Sequence, residues 1–225
     1  TKLQSRSEGL KVALSNIGDA KNLLAVAEAG LGRINDILLQ MRNKAEAGAS
    51  ETMGTSERTA IMSQLTAYVS QINDLAAQTK WNDVKLLDGT GPATLRFQTG
   101  PDAADATEMT RILNVQAGTG GLGIDLTGVT TAANYATLLG TLDTAMGTVN
   151  TEMSKVGALM GRLSFKEEQV MAAQINYEAS YNRIMNANMA EEQVNASKYQ
   201  ILQQTATAML AQANAAPQFL LSLFR

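Results

Sequence analysis

The chain has 225 residues, of which 45% are hydrophobic but only 4% aromatic, so aliphatic residues and methionine supply the apolar content, as in long packed helices. It has no cysteine and no histidine, which excludes thiolate and disulfide chemistry and removes the usual acid–base residue, so we expect neither an enzyme nor a cofactor. A net charge of −3 with scattered basic residues argues against nucleic acid binding, and no apolar run is long enough for a membrane span.

The strongest periodic signal is an apolar seam that predicts a first helix over residues 3–47. Its positions alternate steps of three and four: Leu10, Ala13, Ile17, Ala20, Leu24, Ala27, Leu31, Ile34, Leu38, Met41 and Ala45. Residues 48–56 then supply a helix stop and a capping hydroxyl. A second helix over residues 56–79 should run antiparallel to the first because the connection is short, and its stripe is Ile61, Leu65, Tyr68, Ile72 and Leu75.

The period changes in residues 80–134, which we interpret as a β-hairpin region. Residues 95–99 alternate in polarity, residues 100–102 mark a turn, and residues 112–115 can pair with the first run. The glycines of residues 118–123 lack the strand, helix and lysine that surround a phosphate-binding loop. Turn glycines are therefore the better interpretation.

A third helix is predicted over residues 135–180, again with apolar residues at steps of three and four: Leu139, Leu142, Met146, Val149, Met153, Val156, Met160 and Leu163. It could continue to residue 214, with a possible break near residues 186–188. The predicted fold is mainly α, an elongated rod of long antiparallel helices with a small β-hairpin region. We divide it into a core domain, residues 1–180, and a C-terminal segment, residues 181–225.

The C-terminal segment is unusually apolar for a chain end, since terminal residues are commonly polar and frayed. We expect another protein chain to pack against its apolar residues.

Four stretches of the chain carry a resemblance to a known family. They are residues 27–35 (AEAGLGRIN), residues 79–89 (TKWNDVKLLDG) leading to 97–100 (FQTG), residues 180–184 (SYNRI) with 190–192 (AEE), and the closing run 201–225. In this order and over nearly the whole chain, they resemble bacterial flagellins.

The resemblance implies a structural subunit that polymerises into the flagellar filament for motility, outside the cell. It implies as partners other copies of the chain, a helical export chaperone, and the junction and cap proteins of the filament. The residues expected to contact neighbouring subunits or the chaperone are Ile184, Val194, Ile201, Leu202, Met209, Leu210, Phe219, Leu220, Leu221, Leu223 and Phe224.

Two departures from the family pattern shape these expectations. Flagellins usually carry further residues before the position of Thr1, which pair with the C-terminal helix, and this sequence shows none. They usually also carry outer domains after the hairpin, which have no counterpart between residues 123 and 135 here. Without its helical mate, the C-terminal segment should be disordered or wrapped around a partner. The first residues form no signal-peptide pattern, so we expect export without a cleavable signal.

An acidic cluster at Asp102, Asp105 and Glu108 is the only weak metal-site hypothesis, for calcium. The cluster lacks the EF-hand spacing and its terminal glutamate. A solvated turn, which aspartate favours, is the preferred interpretation.

A stretch of the first helix resembles the face that a Toll-like immune receptor recognises in many flagellins: Leu38, Met41, Arg42, Asn43 and Lys44. Arg42 is retained. Asn43 stands where an acidic residue is usual and Lys44 where an apolar one is usual, so a complementary receptor surface would lose a charge pair and meet an added positive charge. We expect weak or absent receptor activation. The alternative is that Arg42 is simply a solvated helix residue.

Two alternatives to a filament subunit remain at this point. A hook–filament junction protein would share the helical ends but usually differs in the closing run. A flagellin-like surface receptor or adhesin would bind its ligand at the acidic turn, and candidate ions or polysaccharides would then stabilise it against heating.

Overall fold

The computed structural model describes the backbone of residues 2–223 and the side chains of residues 2–186 and 188–215. Three helices and four short strands follow one another in the order α1 (Lys2–Gly48), α2 (Thr55–Gln78), β1 (Lys80–Trp81), β2 (Val84–Lys85), β3 (Thr94–Gln98), β4 (Ala106–Thr110) and α3 (Ala132–Leu223). The predicted class, mainly α with a small β region, is confirmed. The described part of α3 is continuous, so the break considered near residues 186–188 is absent.

The chain forms two compact units. The core unit is Glu8–Ala173, and the terminal unit combines Thr1–Ser7 with Gln174–Arg225. The core unit contains nearly all of α1, all of α2 and the four strands, and the first part of α3.

The seam predicted for α1 forms the centre of the core unit, because every one of its positions is buried. Antiparallel packing of α2 follows from contacts at both of its ends. Arg58 Nε donates to the Gly48 carbonyl at 3.0 Å, while Gly30 faces Thr79 so closely that a Cβ there would lie 2.7 Å from Oγ1.

Helix α3 also runs antiparallel to α1 within the core unit. Arg42 Nε lies 2.7 Å from Asp143 Oδ1, and Lys21 Nζ lies 2.7 Å from Glu167 Oε2. At 1.5 Å per residue, these two ion pairs are separated by about 32 Å along α1 and about 36 Å along α3. The two helices are therefore in register over most of the core unit.

The buried face of α3 differs from the predicted seam at every second position. Leu142, Val149, Val156 and Leu163 are buried as predicted, but Leu139, Met146, Met153 and Met160 are only half-buried, and the core row beside them is formed by Leu138, Ala145, Glu152 and Leu159. The prediction chose the methionines for the buried row because methionine is more hydrophobic than alanine and glutamate. The long, flexible methionine side chains cover the core from its flank.

The predicted second strand is also wrong. β3 pairs antiparallel with Ala106–Thr110, and Leu95 lies opposite Met109. Ile112 and Val115 are buried for a different reason, since this segment packs as a loop in which the Val115 amide donates to the Leu87 carbonyl at 2.9 Å. The true partner strand was overlooked because its polar residues, mostly exposed, give it little hydrophobic alternation.

A second, unpredicted hairpin joins β1 and β2. Its two turn residues, Asn82 and Asp83, have φ angles of 51° and 64°. These are the left-handed conformations that a tight two-residue hairpin needs, and asparagine and aspartate tolerate them better than other residues with a side chain.

Candidate assembly surface

The apolar residues of the terminal unit lie on the surface of α3. Val170 is the last buried residue among the described side chains of the helix, since none of those between positions 171 and 215 is buried. The six predicted assembly residues with described side chains all expose more than half of their surface: Ile184, Val194, Ile201, Leu202, Met209 and Leu210. The backbone of the segment up to residue 223 is helical, contrary to the expectation of disorder, but these six apolar side chains are mostly uncovered within the subunit.

Helical geometry gathers most of these residues on one face. At about 100° per residue, Ile184, Val194, Ile201, Leu202 and Met209 fall within an arc of about 100° around α3. That width is typical of the apolar stripe by which a helix packs against a partner. We call these five residues the assembly stripe.

A shallow concavity of about 660 Å³ lies over the middle of the assembly stripe. Val194, Ile201 and Leu202 line it together with Ala190, Gln193, Ser197 and Lys198. An open, mainly apolar surface of this kind can receive the ridge of another helix.

The polar groups beside the assembly stripe are compatible with burial. Ser197 Oγ donates to the Gln193 carbonyl at 2.9 Å, and Thr205 Oγ1 donates to the Ile201 carbonyl at 2.8 Å. These hydroxyl donors are already satisfied within the helix, so a partner could cover them without leaving an unpaired donor. The sequence between Lys198 and Arg225 also contains no charged residue, so the desolvation of charge is confined to the part of the stripe up to Lys198, which lines the concavity.

The start of α1 contacts α3 inside the terminal unit. Arg6 Nη1 donates to the Tyr177 hydroxyl at 3.1 Å, and its guanidinium carbon lies 6.0 Å from the centre of the Tyr177 ring. The hydrogen bond and the cation–π contact attach the first turns of α1 to α3.

The remaining predicted assembly residues cannot be placed in the same way. Phe219, Leu220, Leu221 and Leu223 belong to α3, but their side chains lie outside the described residues, as does Phe224 entirely.

The acidic cluster does not form a cation site. Asp102 and Asp105 occupy the turn between β3 and β4, where Asp105 Oδ2 accepts from the Asp102 amide at 3.3 Å. Glu108 lies on β4, with its carboxylate 4.0 Å from Arg96 Nε. Across the described residues, no three carboxylates come together in a way that could hold a metal ion. The glycines of residues 118–123 form turns, in which the amides of Gly121 and Gly123 both donate to the Gly118 carbonyl.

The stretch resembling a receptor-binding face is divided between core and surface. Leu38 and Met41 are completely buried, so their assignment to an exposed face is wrong. Asn43 is exposed, while Arg42 and Lys44 are half-buried. The hydrogen bond and the charge of Asp143, followed by the charge of Glu46, raise the pKa of Arg42. Arg42 is thus an intramolecular ion-pair residue between α1 and α3.

Two flagellin family models match the chain. The bacterial flagellin N-terminal helical region matches residues 1–91, and the bacterial flagellin C-terminal helical region matches residues 139–224. None of the described helices has the length and apolar character that a membrane crossing requires.

Individual relatives agree with these matches. The flagellar filament 33 kDa core protein of Treponema phagedenis is 30% identical over the whole chain and 82% of its own length. A flagellin of Halalkalibacterium halodurans is 29% identical over the same shares. Among solved structures, Bacillus cereus flagellin is 26% identical with a TM-score of 0.62, covering 69% of this chain and 88% of its own.

Proposed function

This chain belongs to the bacterial flagellin family and is a structural subunit of the extracellular flagellar filament, and from that premise we propose that the assembly stripe of α3 joins neighbouring subunits. The observation that carries the proposal is the exposure of five apolar side chains on one face of a helix whose preceding part has a buried apolar face. Burying one such side chain contributes about 1.5–3 kcal/mol. Burial of all five favours a subunit contact, with the cost of association set against it.

Polymerisation of the gene product that contains this chain tests the proposal. Ile201→Asp should raise the concentration needed for filament formation, measured by light scattering and electron microscopy, because it would bury a charge at the contact. Its thermal unfolding should be nearly unchanged, since 63% of the surface of Ile201 is accessible within the subunit.

Leu39→Asp is the matched control, because Leu39 is also an exposed aliphatic residue but lies on α1 of the core unit. Equal effects of the two aspartates on polymerisation would contradict a specific role of the assembly stripe.

Before export, we propose that the same stripe binds a dedicated helical chaperone. A helix presenting apolar residues at steps of seven and eight suits a helix-in-groove complex. In calorimetric titrations with a flagellin export chaperone, truncation after Tyr199 should abolish binding and Ile201→Asp should weaken it. Full affinity of the truncated chain would refute this use of the stripe.

Immune-receptor activation is proposed to be weak. The support is that Leu38 and Met41 are buried, Arg42 is engaged by Asp143 at 2.7 Å, and Lys44 adds a positive charge. A Toll-like receptor reporter assay should show little response, and full potency would overturn this view.

The remaining parts of the proposal concern role and route. We propose that the subunit has no catalytic activity, that it leaves the cell without a cleavable signal, and that junction and cap proteins meet it at the filament ends. The support for a purely structural role is a sequence without cysteine or histidine. Mass spectrometry of secreted subunits would detect any cleaved leader.

A further inference from the structure

Phe165 is the most exposed large hydrophobic side chain described in the core unit, with 76% of its surface accessible. At about 100° per residue, it lies about 120–160° around α3 from the buried Leu159, Leu163 and Val170. It therefore points away from α1 and from the core. A single exposed phenyl ring is ordinary on a protein surface, and its meaning depends on a complementary surface.

Such a surface exists elsewhere on the core unit. A groove of about 360 Å³ lies between α1, β1 and β3, and its lining includes the apolar side chains of Ala20, Leu23, Trp81 and Phe97. Two charged residues, Asp19 and Arg96, also line it. Aromatic rings pack favourably edge to face, so Trp81 and Phe97 suit a phenyl guest.

Phe165 and the groove lie at the same level along the axes of α1 and α3 in the core unit. Lys21, beside Ala20, pairs with Glu167, two residues from Phe165, at 2.7 Å. Phe165 and the groove lie on opposite sides of the core unit. Lys21 faces α3, and the groove-lining residues of α1 are centred about 150° around that helix from Lys21. Phe165 therefore cannot reach the groove of its own subunit.

We propose that Phe165 of one subunit fills this groove on a second copy, as a lateral contact of the filament; the inference rests on the filament function proposed above. The two surfaces are different and lie on opposite sides, so the contact is heterologous and can repeat without closing. Because both lie at one height, it joins subunits side by side.

Charge supports the same pairing. Arg162 and Glu168 lie three residues before and after Phe165, one on each side of it along α3, and both are exposed. The groove offers the opposite charges, Asp19 and Arg96. A second copy of the chain therefore supplies the apolar guest, a positive charge for Asp19 and a second carboxylate for Arg96, which already lies 4.0 Å from Glu108. Such complementarity steers association and suppresses wrong partners.

Trp81 gives a direct measurement, because it is the only tryptophan of the chain. In filaments of the unaltered protein, acrylamide should quench Trp81 fluorescence several-fold less than in the monomer. Phe165→Ala should raise the critical concentration for polymerisation about 10- to 100-fold, the expected loss for one buried phenyl ring. In any filaments that this variant forms, Trp81 should stay as quenchable as in the monomer.

Leu39→Ala serves as the matched control and should behave like the unaltered protein. Circular dichroism of Phe165→Ala monomers should be unchanged, because the ring makes little intramolecular contact. If Phe165→Ala alone stops polymerisation while its fold is intact, the contact is supported. If Trp81 is equally quenchable in filament and monomer, or equally protected in both kinds of filament, the contact is refuted.

A thiol crosslink identifies the two partners, since the chain has no other cysteine. Filaments carrying Phe165→Cys with Asp19→Cys should yield a ladder of covalent multimers with a short bis-maleimide. Phe165→Cys with Leu39→Cys should not, because Leu39 lies about 30 Å farther along α1. Filaments without the ladder would refute this contact and leave the proposed function intact, whereas failure of the unaltered protein to polymerise would refute both.

Discussion

The effect of Gly48→Ala on the free energy of unfolding should change sign depending on whether the Tyr135 ring is present. Gly48 ends α1 where the Tyr135 ring covers it, and a Cβ at position 48 would lie 2.6 Å from two carbons of that ring. Tyr135 is fully buried, and its hydroxyl donates to the Arg58 carbonyl at 2.8 Å. One side chain thus connects the end of α1 with the starts of α2 and α3.

Three substitutions separate the contributions. Tyr135→Phe removes only the hydroxyl and should cost about 0.5–1.5 kcal/mol of unfolding free energy. Tyr135→Ala also removes the ring and should cost about 3–5 kcal/mol. In the presence of the ring, Gly48→Ala should cost about 1–2 kcal/mol, because overpacking exceeds the gain in helix propensity. In the Tyr135→Ala background it should be neutral or stabilising by up to about 1 kcal/mol.

Urea unfolding followed by Trp81 fluorescence measures these changes in the core unit, with circular dichroism as a second probe. A Gly48→Ala effect of equal size and sign in both backgrounds would show that the ring and the glycine are not coupled. The reasoning would also fail if Tyr135→Phe cost as much as Tyr135→Ala.

Three other changes test the rest of the core unit. Lys21→Ala should cost only about 0.2–1 kcal/mol, and less at high salt, in urea titrations, because Lys21 and Glu167 are each about a third exposed. Burial alone would raise the pKa of Asp88, but hydrogen bonds from Thr90, together with the hydrogen bond and charge of Lys85, outweigh burial and hold this pKa below its usual value. The stability that the Asp88 carboxylate contributes is therefore present above about pH 4 and is lost as pH falls further, so Asp88→Asn should flatten stability against pH in that range. Glu152→Ala should cost about 1–3 kcal/mol and speed amide exchange at Leu113, which donates to its carboxylate at 3.4 Å.

The helices were predictable where an apolar seam is long and unambiguous. In α1 the steps of three and four persist over many turns, and every predicted position is buried. In α3 two neighbouring rows of residues, one containing Met146 and Met153 and the other Ala145 and Glu152, both have the spacing of a buried face. Because Met146 and Met153 are more hydrophobic than Ala145 and Glu152, the sequence favoured the wrong row. The buried Glu152 is compensated by Lys155, three residues further along the helix, and by the Leu113 amide, and only the second contact is not readable from spacing.

The strands were less predictable because their pairing depends on the neighbouring helices. β4 is polar on most positions, whereas the loop containing Ile112 and Val115 is apolar because it packs onto the core. The Asn82–Asp83 turn was a readable hairpin signal that the prediction did not use.

The surface residues were predicted with mixed success. Leu38 and Met41 stood both in the α1 seam and on the receptor face, and a helical wheel would have resolved that conflict in favour of burial. The assembly stripe has the exposure that its predicted role requires, and its contacts in the filament stay a prediction. The groove around Trp81 had no sequence signal, because α1, β1 and β3 create it only when they come together.

The continuity of α3 has an energetic consequence for any partner that binds the exposed part of the helix beyond Val170. Starting a helix in water is unfavourable by a factor of about 1,000, or about 4 kcal/mol, whereas adding residues to an existing helix is close to neutral. The buried part of α3, up to Val170, already provides that start. The exposed part therefore extends a helix that is already nucleated, so keeping it helical for a partner requires only propagation.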